Sequence, residues 1–270
     1  MSQFHNLFRK VVVEKEAPPS RPAEAVLETA EQNYALQNLP IVGMRLEAAS
    51  RLVFHTDPQS VGAERFRLLR MRLQERSKAR TLKKILVTSP LPHDGKSTVA
   101  LNLACALAEK GRRSVLLVEG DLHHPQILER LGLESTAGLG ECLEDNSSAF
   151  HSIRRIEPLG CYVLPAGAAR ANATELLHSS TVHILFQDLT RYFDWIVIDT
   201  PPVLPLTDAL FLRDLADACL LVVRADSTPR NAVDQAVTLV GKEHILGIVL
   251  NGVEGLQRLY SKYGYHRSKP

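Results

Sequence analysis

Cysteines are few in this sequence, and no two of them stand close enough together to suggest a metal or redox motif. Four occur in 270 residues, and none forms a CxxC pair. Disulfide-stapled scaffolds and zinc sites rely on paired or clustered cysteines, so both classes are excluded. We expect reduced packing residues of a cytoplasmic protein at Cys105, Cys142, Cys161 and Cys219.

Long apolar runs and an excess of charge of one sign are also missing. The first thirty residues hold no apolar block of the kind found in signal peptides, and charges interrupt later apolar runs before they reach membrane-spanning length. Lys and Arg number 32 against 30 Asp and Glu, a formal net charge of +2. No global field therefore draws the chain to nucleic acid or anionic lipid, and we expect no nucleic-acid partner.

The chain divides into three parts by its composition. Residues 1–60 lack sustained periodicity and include the proline-rich stretch Glu16–Pro22, which predicts a mostly flexible segment. From Val61 an amphipathic helical pattern leads into the main domain, which is predicted to span residues 61–252. Beyond that range the apolar periodicity fades, and residues 253–270 are predicted to form a basic tail that contains tyrosines.

Short aliphatic runs alternate with amphipathic stretches from Lys84 onward. This alternation predicts the α/β class, with a mostly parallel sheet flanked by helices. The predicted strands are Ile85–Thr88, Ser114–Val118, Tyr162–Leu164, Trp195–Ile198, Cys219–Val223 and Leu246–Leu250. The predicted helices are Lys96–Lys110, Gln126–Leu131, Thr181–Tyr192, Thr207–Leu215 and Arg230–Lys242.

A phosphate-binding loop is the strongest local signal. It ends the first of these strands and opens the first of these helices, where free backbone N–H groups and the helix dipole favour a bound phosphate. The pattern G-x-x-x-x-G-K-[ST] is matched except at its first position, which is Pro90. The loop predicts an ATP and Mg²⁺ site with Lys96 at the β- and γ-phosphates and Ser97 at the metal. The nucleotide-binding candidates are Asp94, Gly95, Lys96, Ser97 and Thr98.

Carboxylates follow two of the other predicted strands. Glu119 and Asp121 lie just past one strand, and Asp199 lies just past another. Ligands of open parallel sheets bind at the carboxyl ends of the strands, so we expect all three acids beside the loop. Taken singly, an acid at such a place is more often a helix cap or a turn residue. Together with Ser97, Asp121 and Asp199 are the candidate Mg²⁺ ligands.

Two motifs together resemble those of the bacterial tyrosine kinases, P-loop NTPases of capsule and exopolysaccharide synthesis. The family's P-G-E-G-K-S-T is similar to residues 92–98, with His93 in place of a glycine. Its D-x-D-L-R-R-P is similar to residues 119–125, with Glu119 for the first acid and two histidines for the arginines. The resemblance implies catalytic roles for Lys96, for Glu119 as the base toward a tyrosine hydroxyl, and for Asp121 near Mg²⁺. It also implies that Asn251 lies near the nucleotide base.

The resemblance extends to assembly and to the tail. Glu64, Arg67 and Arg70 match the family's E-x-x-R-x-x-R oligomerisation motif, although a solvated charged face explains the same pattern. The resemblance implies a homo-oligomeric ring before phosphorylation, and a separate membrane-bound activator that recruits the chain to the inner face of the membrane.

Three of the six tyrosines lie in the last eleven residues, where the family carries tyrosines phosphorylated in trans. The autophosphorylation candidates are Tyr260, Tyr263 and Tyr265. An aromatic tail that docks on the domain surface is the alternative. Phosphates on the tail would be repelled by the three carboxylates of the site, which would loosen a ring.

Two other functions compete with an autokinase. A non-kinase ATPase switch of the partition or division-site type would carry an extra lysine near the start of the loop, where this chain has Leu91. A nucleotide-binding scaffold without phosphotransfer is suggested by Pro90, His93 and Glu119. The pair His123 and His124 lacks a third ligand close by, which favours loop residues beside the phosphates over a metal site.

Overall fold

The computed structural model describes residues 34–45 and 51–253. Residues 34–38, with a helical turn at 34–37, belong to a separate unit of the chain. The large unit begins at Leu39 and contains the described residues discussed below. Tyr260, Tyr263 and Tyr265 lie outside the described residues.

Eight strands form one sheet in the order β1-β4-β5-β3-β6-β2-β7-β8. All neighbouring pairs are parallel except β4 and β5, which are antiparallel. This arrangement confirms the predicted α/β class with a mostly parallel sheet. The strands are β1 Ile41–Gly43, β2 Lys84–Thr88, β3 Val115–Glu119, β4 Arg154–Glu157, β5 Cys161–Leu164, β6 Trp195–Asp199, β7 Ala218–Arg224 and β8 Ile245–Asn251.

Helices cover the sheet and frame its carboxyl edge. They are α1 Val53–Thr56, α2 Val61–Ala79, α3 Lys96–Ala108, α4 Ile127–Arg130, α5 Leu139–Glu144, α6 Ala173–Leu177, α7 Ser180–Tyr192, α8 Asp208–Arg213 and α9 Arg230–Val240, with a 3₁₀ turn at Ala149–His151. Nearly every residue of α3 is buried, because this helix packs between the sheet and α2. The central strands β3 and β6 are buried along their whole length, which explains their uninterrupted aliphatic sequences.

The prediction of a flexible segment as far as residue 60 is wrong for its last part. Strand β1 pairs with β4, and the N–H of Arg155 donates to the carbonyl of Pro40 at 2.8 Å. Helix α1 is tied to α3, since the N–H of Val53 donates to Asn102 Oδ1 at 2.9 Å. These elements are three and four residues long, too short for periodicity to show them.

The four cysteines are buried and unpaired, as predicted. Within the described ranges, none of the helices combines the length and apolar character that crossing a membrane requires.

Candidate active site

The loop between β2 and α3 closes around the amide of Asn251. Gly95 has a φ of 98°, in the left-handed region, and a Cβ added there would lie 2.1 Å from Asn251 Nδ2. The same Nδ2 donates to the carbonyl of Asp94 at 2.9 Å. Glycine is therefore required at position 95 both for its backbone conformation and for the close approach of Asn251.

His93 occupies a backbone conformation that suits glycine. Its φ is 66°, which costs a residue with a Cβ about 1–2 kcal/mol. This is the position where the family motif carries glycine, so the departure noted in the sequence coincides with local strain. The side chain of Arg224, at the end of β7, stabilises the turn by donating from Nη1 to the His93 carbonyl at 3.2 Å.

Asp94 shapes the loop through its side chain. The carboxylate is buried, accepts the N–H of Leu91 at 3.0 Å through Oδ2, and accepts the hydroxyl of Thr228 at 2.6 Å through Oδ1. Both carboxylate oxygens of Asp94 form hydrogen bonds that hold the loop, so Asp94 would contact a nucleotide through its backbone. The sequence did not predict the role of Thr228, because no local pattern links this residue to a loop more than 130 residues earlier.

Lys96 and Asp121 form an ion pair at the mouth of the loop. Lys96 Nζ lies 3.3 Å from Asp121 Oδ2 and donates to Ser97 Oγ at 3.3 Å. The other oxygen of Asp121 accepts the N–H of His124 at 3.0 Å, which fixes the carboxylate after β3. The structure thus brings Lys96, Ser97 and Asp121 together as predicted, and a phosphate would meet the lysine at this point.

Asp199 is a buried carboxylate with one oxygen left over. Its Oδ1 has no hydrogen-bond partner among the residues that the structure describes. Burial raises the pKa of Asp199, while the Lys96 charge and the Ser97 hydroxyl act in the opposite direction. A buried, unpaired carboxylate oxygen beside a hydroxyl and a second carboxylate fits Mg²⁺, which prefers hard oxygen ligands. Ser97, Asp121 and Asp199 would hold the ion.

The hydrogen bonds of Glu119 turn its carboxylate away from the phosphate pocket, and its role as the base stays a prediction. Its Oε1 accepts the N–H groups of Gln126 and Ile127, the latter at 2.7 Å, and its Oε2 accepts the N–H of Ala166 at 3.0 Å. Burial raises the pKa of Glu119, although these three donors favour the charged form. The carboxylate is committed to the start of α4 and the end of β5, and it does not line the phosphate pocket.

His123 and His124 point to different surroundings. His123 Nε2 lies 2.8 Å from Oδ2 of the buried Asp208, whose other oxygen accepts the Thr174 hydroxyl at 2.7 Å. His124 lines the phosphate pocket. The described part of the chain contains no group of three or more His, Cys, Asp or Glu that could hold a metal.

The pocket around the loop is strongly basic. It has a volume of about 740 Å³, and Asp121 is the one acidic residue among the described residues that line it. Three arginines that the sequence analysis did not single out join Lys96 in the lining, namely Arg51, Arg130 and Arg224. They come from the segment before α1, the end of α4 and the end of β7, so only the fold brings them together.

Comparison with known proteins identifies the family to which this site belongs. A family model described as an AAA domain matches residues 93–243. The tyrosine-protein kinase YwqD of Bacillus subtilis is 33% identical over 216 residues, which cover 79% of this chain and 90% of that protein. The crystal structure of the chimerical protein CapA2B2 is 31% identical and superposes with a TM-score of 0.70 over 82% of this chain and 97% of that one. This chain belongs to the bacterial tyrosine kinases.

Relatives of very different length match this chain. The succinoglycan biosynthesis transport protein ExoP of Rhizobium meliloti is 30% identical over 240 residues, which cover 82% of this chain but 30% of ExoP. The chain thus spans most of the Bacillus relative and under a third of the Rhizobium one.

The three residues of the tyrosine kinase oligomerisation motif make contacts within one protomer. Arg67 contacts both the carboxylate of Glu64 and the carbonyl of Pro58. Arg70 donates from Nη1 to the carbonyl of Ala106 at 3.3 Å, at the C-terminal end of α3. These contacts leave the predicted role of Glu64, Arg67 and Arg70 between protomers as a prediction.

Asp199→Asn is expected to stabilise the nucleotide-free protein at pH 7.5, because it removes a buried charge. Because the folded pKa is raised, the wild type loses stability as pH rises above the unfolded value of about 3.9, and asparagine avoids this loss. The gain should vanish near pH 4. Urea unfolding without Mg²⁺ at both pH values measures it, with the exposed Asp188→Asn as control. An equal change at both pH values would contradict a raised pKa.

Proposed function

We propose that this protein is an ATP-dependent protein-tyrosine autokinase that acts in capsular or exopolysaccharide synthesis or export. The observation that carries the proposal is the buried Asp199, one oxygen of which has no hydrogen-bond partner among the described residues, next to Ser97 and the Lys96–Asp121 pair. This is the arrangement that a phosphate loop needs to hold ATP with Mg²⁺, and it lies in a chain similar to a tyrosine-protein kinase.

The contacts around the loop support the following binding roles. Backbone N–H groups at the start of α3 receive the β-phosphate, and Lys96 moves from Asp121 to the β- and γ-phosphate oxygens. Mg²⁺ at Ser97, Asp121 and Asp199 neutralises charge on the phosphates when it is bound. Asn251, which already contacts the loop backbone, lies beside the nucleotide base.

The transfer step uses Asp121 where the sequence suggested Glu119. A bond forms between the tyrosine oxygen and the γ-phosphorus, and the bond from that phosphorus to the ADP oxygen breaks. The tyrosine proton passes to a carboxylate oxygen of Asp121, the acid that faces the pocket. Lys96 stabilises the charge that develops on the transferred group.

Tyr260, Tyr263 and Tyr265 are the proposed acceptors, phosphorylated between protomers of a ring in which Glu64, Arg67 and Arg70 pair across the interface. A separate membrane-bound activator recruits the protein to the inner face of the cell membrane. The relative ExoP, in which a similar segment belongs to a transport protein more than three times longer, supports the link to a membrane partner.

A test of this function uses the full chain with ATP and Mg²⁺, with and without the cytoplasmic segment of its activator. Wild-type protein should gain phosphotyrosine, and replacing Tyr260, Tyr263 and Tyr265 by Phe should remove at least about nine-tenths of the label. The exposed Tyr34→Phe serves as control and should change nothing.

The contrary outcomes separate the parts of the proposal. Label that persists in the triple variant would place the acceptor elsewhere. Nucleotide binding without any phosphotyrosine would favour the scaffold. Strong labelling without a partner would rule out dependence on an activator.

A further inference from the structure

Arg130 adds a positive charge to the lining of the phosphate pocket. It is the last residue of α4, and its Nη2 donates to Gln126 Oε1 at 2.7 Å. Its Nη1 donates to Thr98 Oγ1 at 3.4 Å, on the first turn of α3. Both partners are neutral.

Arg51 lines the same pocket, although it precedes the phosphate loop in the sequence whereas Arg130 follows it. Asn102, a buried residue of α3, donates from Nδ2 to the carbonyl of Arg51 at 3.0 Å and to that of Thr98 at 2.9 Å. Its Oδ1 accepts the N–H of Val53 at 2.9 Å. One side chain therefore fixes the backbone at Arg51 to the helix that carries the phosphate loop.

Both arginines are linked to Thr98, Arg130 through its own Nη1 and the backbone of Arg51 through Asn102. Lys96 is paired with Asp121, and Arg224 donates to the loop carbonyl of His93 from the β7 side. In the sheet, β3 and β7 lie on opposite sides of β2, and Arg130 follows β3 along the chain. Arg51 and Arg130 line this pocket but are not among the residues assigned above to the nucleotide or to Mg²⁺.

We infer that Arg51 and Arg130 form an anion subsite that selects tyrosine acceptors with a carboxylate or phosphate next to the tyrosine. The inference rests on the proposed kinase function and names the class of its substrate. Guanidinium groups bind both anions through paired, charge-assisted hydrogen bonds, whereas they repel lysine and arginine side chains. Asn102 is the positioning residue for Arg51.

The subsite changes what is expected of the chain's own tail. Residues 254–270 contain one acid, Glu254, against four bases, at Arg258, Lys262, Arg267 and Lys269. Before modification this segment has the same sign as the subsite. Each phosphate adds about −1.5 to −2 charges, so a first phosphorylation strengthens binding of the tail and favours the next. This effect is opposite to the repulsion of a phosphorylated tail that is expected from the three carboxylates of the site alone.

Peptide binding tests the subsite without relying on catalysis. Fluorescence anisotropy would use the full chain with Mg²⁺ and a non-hydrolysable ATP analogue. Three labelled peptides would each carry one tyrosine flanked by four Glu, four Gln or four Lys. A further pair would be residues 254–270 with and without phosphate on Tyr263, which separates a phosphate from a carboxylate as the anion.

The Glu peptide should bind at least about tenfold more tightly than the Lys peptide, and the phosphorylated tail more tightly than the unmodified one. Arg51→Gln with Arg130→Gln should reduce the first ratio to about twofold or less. Asn102→Ala should lower the same ratio of affinities, but by less than the double variant does. The matched control is Arg112→Gln, an exposed arginine before β3 at the opposite edge of the sheet, which should leave the ratio unchanged.

Three outcomes would overturn the subsite. They are equal binding of the Glu and Lys peptides, a preference that survives the double variant, and a double variant that loses nucleotide affinity while its peptide ratio is unchanged. A preference for the Glu peptide in binding, with no tyrosine phosphorylated under any condition, would instead refute the kinase function and leave the subsite standing.

Discussion

Lys96→Met should lower the rate of phosphotyrosine formation at least about a hundredfold while the protein stays folded. The substitution keeps an unbranched side chain at the start of α3 but removes the charge that faces Asp121 and the bound phosphates. Since the acceptor tyrosines remain, only transfer is lost. The measurement is the initial rate of labelling with ATP and Mg²⁺, together with thermal unfolding.

The matched control for this prediction is Lys242→Met, an exposed lysine after α9. It should label at the wild-type rate and unfold at the wild-type temperature. Addition of unlabelled wild-type protein should restore label on the Lys96→Met chain if transfer occurs between protomers. Undiminished labelling of Lys96→Met on its own would show that the phosphate loop is not the transfer site.

Glu119→Ala should destabilise the protein by about 3 kcal/mol or more, because it leaves three backbone N–H groups without their acceptor. Relief of a buried charge offsets part of this cost, in keeping with the raised pKa. Glu119→Asp should behave similarly, since a carboxylate one methylene shorter cannot reach all three donors. Glu119→Gln keeps one acceptor oxygen and should cost about half as much.

Activity measured on the folded fraction shows whether Glu119 only accepts these backbone hydrogen bonds or also acts as the base. Glu119→Gln should keep activity within about tenfold of the wild type at low temperature, whereas Asp121→Asn should lose at least about a hundredfold. The exposed Glu129→Gln on α4 controls for charge. A Glu119→Gln protein with wild-type stability and no activity would restore Glu119 as the base.

The interior strands of this fold could be predicted from the sequence because they are buried on both faces. The aliphatic runs at β2, β3, β6 and β7 predicted the strands to within one or two residues. The parallel arrangement then placed Asp121 and Asp199 at one edge beside Lys96. These features depend on local pattern and on the general geometry of parallel sheets.

The direction of a side chain is not contained in such patterns. Glu119 ends β3, as predicted, yet its oxygens turn to the N–H groups of Ile127 and Ala166. No pattern near Glu119 in the sequence indicates that the end of β5 lies next to this residue. Arg51 was assigned to a flexible segment for the same reason, because the side chain that holds it, Asn102, lies 51 residues away. Long-range hydrogen bonds of this kind appear only once the elements have packed.

The contact between Asn251 and the phosphate loop also bears on the order in which the parts of the site form during synthesis. Asn251 donates to a carbonyl 157 residues earlier and lies at the end of β8, the last strand of the sheet. A ribosome-bound chain that stops short of this residue has the whole loop sequence but not the amide that closes it. We therefore expect the loop to reach the conformation described here only after β8 has joined the sheet.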